Sequence, residues 1–95
     1  MSTPSTRYRV TITPVQAGGL PCTGRCSIEF ECADGHDWMR RVEQAQRLSG
    51  LAGDERTALA VGVSLLDFLT RRPALRQELA ELQPGLARLL ARLER

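Results

Sequence analysis

The sequence predicts a small α+β domain: a two-stranded antiparallel hairpin followed by three to four helices packed on one face. Three observations lead there. Two short segments near the N-terminus alternate apolar and polar residues with period two. From Asp34 onward the period lengthens to three and four residues. The chain has 95 residues with 42% hydrophobic and 25% charged residues, a composition and length suited to one globular domain spanning 1–95.

The first strand is read over residues 6–13. Tyr8, Val10 and Ile12 share one side, while Arg7, Arg9 and Thr11 share the other. Pro14 closes it by removing a ladder donor. The second strand is read over residues 26–32, with Cys26, Ile28, Phe30 and Cys32 facing inward and Ser27, Glu29 and Glu31 facing outward. One outer face is arginine and the other glutamate, and opposite charges across a strand pair contribute about 0.2–1 kcal/mol each. That match predicts antiparallel pairing. The connection, residues 14–25, carries Gly18, Gly19, Pro21 and Gly24 without periodicity and reads as an insertion-tolerant loop.

A first helix follows, with Asp34 as its cap and Asp37 adding charge near its positive end. Trp38, Val42 and Ala45 form its inward stripe, with Met39 alongside. Residues 49–53 stop it, and Asp54 is the expected cap of a second helix over about 55–72. Leu59, Val61, Val63, Leu65, Leu66, Phe68 and Leu69 make that helix apolar nearly all round, the mark of a core element. Pro73 ends it. Leu75, Leu79, Leu82, Leu86, Leu89 and Leu93 then step by four and three. Pro84-Gly85 divides this ladder into two short helices, roughly 74–82 and 84–94.

Several function classes lose support at this stage. No run approaches the 20 or so apolar residues of a membrane span, and residues 1–6 lack the apolar stretch of a secretory leader. Three cysteines fit a reducing compartment better than a disulfide framework, so the expected address is the cytoplasm. The 13 basic residues, all arginine, against 11 carboxylates leave a net charge of +2, too slight to imply a polyanionic partner. Arginine doublets at Arg40-Arg41 and Arg71-Arg72 are interleaved with acid, and the aromatics Tyr8, Phe30, Trp38 and Phe68 sit at core positions rather than on a stacking platform. A nucleic-acid partner is thus disfavoured. No glycine-rich phosphate loop follows a strand, and no cofactor is expected.

Cys22, Cys26, Cys32 and His36 are the residues that could hold zinc. On a strand rising about 3.3 Å per residue, however, Cys26 and Cys32 lie roughly 20 Å apart, which favours buried thiols over ligands. His36 and Asp37 stand together at a helix start. Adjacent helical residues do not face each other, so these two read first as residues serving the helix terminus.

Four segments together resemble a family of short bacterial proteins known only as a domain of unknown function. They are Arg7-Tyr8-Arg9-Val10-Thr11-Ile12, then His36-Asp37 before a helix, Ala58-Leu59-Ala60-Val61-Gly62, and Pro73-Ala74-Leu75 through Leu82-Gln83-Pro84. The resemblance implies a cystatin-like fold, whose sheet has more strands than the two read here, and attaches no activity or cofactor. The cysteines are not part of the family pattern. Its His-Asp pair matches His36 and Asp37, which become the candidate polar patch.

The expectation is a non-enzymatic protein-interaction module. Its partner would be another protein or a second copy, through an open sheet edge or the leucine-rich tail. A zinc-binding or His36-dependent enzyme or ligand-binding protein is the rival, and a weak nucleic-acid binder the third reading.

Overall fold

The computed structural model describes residues 5–21 and 27–94. It is a mixed α+β domain in which a two-stranded antiparallel hairpin is followed by three α-helices. The chain divides into two compact units, the first ending at His36 and the second beginning at Asp37.

In the first unit, β1 (Thr6–Ile12) pairs with β4 (Ile28–Asp34) in the register Tyr8↔Cys32, Arg9↔Glu31, Val10↔Phe30 and Ile12↔Ile28. The faces are those that the alternation predicts. On the charged side Glu31 meets Arg9 at 3.1 Å and Arg7 at 3.6 Å. These ions are well exposed, so each pair contributes less than about 1 kcal/mol and chiefly fixes register. β4 begins two residues later than the sequence reading placed it. Cys22 and Cys26 lie outside the described residues.

The other face corrects an expectation. Its parity is right, but it is not uniformly inward. Cys32 is buried and Tyr8 and Val10 are half-buried, whereas Ile12, Ile28 and Phe30 are 55%, 63% and 38% exposed. A two-stranded ribbon buries only the part of its face that something covers.

Residues 14–21 are also more ordered than a plain loop. β2 (Gln16–Ala17) and β3 (Leu20–Pro21) form a minimal hairpin around Gly18-Gly19. Both glycines have positive φ, 60° and 82°. A two-residue turn of the twist that suits a hairpin needs this backbone, and only glycine adopts it twice without strain.

The second unit packs α1 (Trp38–Ala45), α2 (Gly53–Thr70) and α3 (Gln83–Leu93). Its apolar centre is Ala45, Ala60 and Leu93, with Val42 and Leu48 against them. Small residues from α1 and α2 let the helices approach, and Leu93 fills the space between. Within α2, Ala60, Val63 and Ser64 are the buried positions midway along, and the larger apolar residues are half-buried around them. Met39, expected beside the inward stripe, is 61% exposed.

Two caps differ from the reading above. Asp37, not Asp34, caps α1: its carboxylate accepts from the Arg40 amide at 3.0 Å. Asp34 is the last residue of β4. At α2 the cap position is Ala52, and the Glu55 carboxylate reaches back to accept its amide at 2.8 Å, which leaves Asp54 inside the first turn.

The tail divides at Pro84 as predicted, but its first half is not a helix. Residues 73–75 and 80–82 form single 3₁₀ turns, while Pro84 sits in the first turn of α3, where its missing amide costs nothing. Leu75 and Leu82 remain exposed. Leu86 and Leu93 are buried in the interior, at 6% and 1% exposure. After Pro84, then, Leu86 and Leu93 are core and not available as an outer seam, while Leu89 is half-buried.

Candidate functional site

The candidate patch separates into two functions. Asp37 is occupied as the helix cap, a contact worth about 1 kcal/mol. His36 is held from the other side. Asp34 Oδ1 lies 3.0 Å from His36 Nδ1 and also accepts the His36 backbone amide at 3.2 Å. The Tyr8 hydroxyl donates to the His36 carbonyl at 3.0 Å. The Asp34 side chain is 1% exposed while that of His36 is 47% exposed. A buried carboxylate thus anchors a half-exposed imidazole.

Chemically this is a positioned histidine. In the tautomer that donates Nδ1–H to Asp34, Nε2 is the atom that could bind a metal. The sequence pointed to His36 and Asp37; the structure joins the His36 ring to Asp34 and uses Asp37 as the helix cap. The available signal was the Asp-Gly-His spacing at 34–36, in which an Asp side chain folds back onto the amide two residues on. Cys32, the one candidate zinc thiol among the described residues, is a buried free cysteine in the strand.

A polar cluster that the sequence analysis did not anticipate lies in the second unit. Arg41 is buried, with its side chain 2% exposed. Its Nε and Nη2 both donate to Glu94 Oε1, at 3.2 and 2.7 Å, and Nη1 donates to the buried Ser64 hydroxyl at 3.2 Å. Asp67 Oδ2 stands 3.5 Å from Nη2 and also pairs with Arg71 at 3.3 Å. One guanidinium therefore joins α1, α2 and the end of α3, a task for which the planar five-donor fork is suited.

This accounts for most of the two arginine doublets. Arg41 and Arg71 are engaged by carboxylates, and Arg72 lies over the Phe68 ring at 4.6 Å from its centroid. Of the aromatics, Trp38 is buried and Tyr8 is hydrogen-bonded to the His36 carbonyl. Neither forms an open stacking surface.

Among the described residues, no helix is long and apolar enough to cross a membrane.

Hairpin, helices and a histidine anchored by a buried aspartate define a small α+β domain. The chain belongs to the family DUF3861, described as a domain of unknown function with a solved structure, and the match covers residues 6–95. No curated protein and no solved structure matches the chain.

Proposed function

We propose that this domain is a protein-interaction module that associates with a second copy of itself through the exposed end of the β1–β4 ribbon. The observation that carries the reading is the cluster of Ile12, Ile28 and Phe30, adjacent in register and left open to solvent. Charge selects the mode. Pairing β1 with its symmetry mate about Tyr8 would set Arg7 opposite Arg9 of the copy, and pairing β4 about Phe30 would do the same with Glu29 and Glu31. Like charges placed opposite one another destabilise a strand pair. At its open end the face that carries Val10, Ile12, Ile28 and Phe30 holds no charge, and Asp34, the carboxylate of the same face, is buried at the other end, so stacking the open ends about a two-fold axis brings no like charges together. Three apolar side chains are far fewer than the roughly 20–30 residues a side of a standard stable interface, so the association is weak and concentration-dependent. The free thiol of Cys32 supports a reducing compartment such as the cytoplasm.

Sedimentation velocity over a concentration series tests this. The sedimentation coefficient of the unmodified protein is expected to rise with concentration. Ile12→Arg combined with Ile28→Glu is expected to abolish the rise while keeping the ribbon, because the new charges face each other across the strands. A concentration-independent monomer in the unmodified protein overturns the reading.

The Asp34–His36 pair favours a second reading, in which the imidazole serves as a ligand or acid–base group. Native mass spectrometry with and without a chelator separates the two. A chelator-sensitive adduct that His36→Ala removes supports metal binding there, and a spectrum unchanged by chelator opposes it.

A further inference from the structure

We propose that the second unit carries a binding site for a small phosphate-bearing anion, in the cleft between the end of α1 and the last turn of α3. The cleft holds about 300 Å³ and is lined by Gln44, Arg47, Leu48, Ser49 and Arg92. That volume is at the lower end of ligand sites. Every polar side chain in the lining can donate, and none is a carboxylate. Neither Arg47 nor Arg92 pairs with a carboxylate among the described residues, in contrast to Arg7, Arg9, Arg41 and Arg71.

These arginines are not needed to finish α1. The carbonyls of Glu43, Gln44 and Ala45 accept from the amides of Gln46, Arg47 and Leu48 at 3.3, 3.1 and 3.0 Å. The chain closes its own helix end with a tightened turn, and the Arg47 guanidinium remains for another acceptor. Leu48 is half-buried against the Ala45, Ala60 and Leu93 cluster. It gives the cleft an apolar element anchored in the core beside the two arginines of the lining.

The number of forks selects the ligand class. One guanidinium already satisfies both oxygens of a carboxylate in a bidentate pair. Two guanidiniums, with an amide and a hydroxyl beside them, suit an oxyanion with three or four acceptor oxygens. Two positive charges also match a phosphate monoester, which carries about −1.5 to −2 at neutral pH.

The test is an NMR titration of the full chain with inorganic phosphate at constant ionic strength. Saturable shifts are expected at the backbone amides of Gln44, Leu48 and Ser49. Arg47→Gln or Arg92→Gln is expected to weaken binding about tenfold, the loss of one charge-assisted fork, whereas Arg88→Gln, on α3 but outside the lining, leaves it unchanged. Both altered arginines are exposed, so the fold is retained. Shifts that do not saturate overturn the proposal. Equal weakening by Arg88→Gln would do the same, since it would mean general surface charge. Acetate binding as tightly as phosphate would overturn the choice of ligand class.

Discussion

Replacing Arg41 by Ala is expected to destabilise the protein by about 3 kcal/mol, within the range for breaking a buried ion pair from one side. For a domain of this size that lowers the melting temperature by about 4–8 °C per kcal/mol. The loss has three parts. The Ser64 hydroxyl, fully buried, is deprived of the donor Arg41 Nη1. The aliphatic stem leaves a void beside α1. Glu94 no longer anchors the end of α3. Asp67 moderates the total, because it keeps its contact with Arg71, and Glu94 is exposed enough to regain water. Arg41→Met separates these parts by restoring the stem and omitting the fork, and it should recover about half of the loss, the remainder being the unmade hydrogen bonds. Both variants should shift the urea midpoint with little change in slope. The effect should persist in high salt, since Arg41 is buried and a partly buried pair is screened little. Arg9→Ala, which removes an exposed pair, is the contrast and should cost less than about 1 kcal/mol. A urea midpoint for Arg41→Ala matching that of Arg9→Ala would show that the buried network contributes no net stability.

That network also marks where the sequence stops being legible. Arg40 and Arg41 are identical letters in a doublet, yet one is exposed and the other buried. The signal lay in helical position. Trp38, Arg41, Val42 and Ala45 follow the spacing of a single inward stripe, but an arginine in such a stripe is read as an interruption unless its acceptors are known. Those acceptors, Ser64, Asp67 and Glu94, lie 23 to 53 positions away, and no local pattern connects them. The β1–β4 ribbon was legible for the opposite reason. Its period of two and its Arg and Glu faces encode pairing and register locally, without reference to the rest of the chain. What those residues do not encode is which end of the apolar face is covered, so Ile12 and Ile28 were expected inside. The hairpin at residues 16–21 escaped because two-residue strands are too short to show a period, although the Gly18-Gly19 pair was its signature.

At the candidate patch, two aspartates three positions apart could each cap α1, and composition does not decide between them. The choice follows from His36. Asp34 is the residue that meets both the imidazole and the amide of His36, so the helix start falls to Asp37. The leucine ladder posed a similar problem, since a spacing of four and three fits an intermolecular seam or a buried stripe equally well. Pro84 resolves it by starting α3 afresh; Leu86 and Leu93 are then buried, and Leu93 packs against Ala45 and Ala60 of its own unit.

Leu93 carries the second large expected effect. It is 1% exposed and fills the centre between Ala45 and Ala60. Leu93→Ala should cost about 3 kcal/mol, the middle of the range for truncating a buried leucine. Its neighbours explain why the cost should not be small. Alanines on the facing helices have no side chain long enough to move into the gap, so the site cannot refill itself. A leucine in the last turn of a helix could still lose less than this if the turn simply frayed into water. The next residue prevents that, because Glu94 is held by Arg41 through two donors at 2.7 and 3.2 Å. The two contacts therefore support each other: the ion pair keeps the turn in place, and the turn keeps Leu93 seated. Once Arg41 is replaced by Ala, the turn is free to open, and removing Leu93 should cost less than it does in the intact protein. The double variant should fall short of the sum of the two single effects by about 1 kcal/mol, a coupling typical of residues that share one element. Urea unfolding of the four proteins measures it. Additivity to within about 0.5 kcal/mol would mean that the polar clamp and the apolar plug stabilise the protein independently, and that α3 keeps its last turn without Arg41.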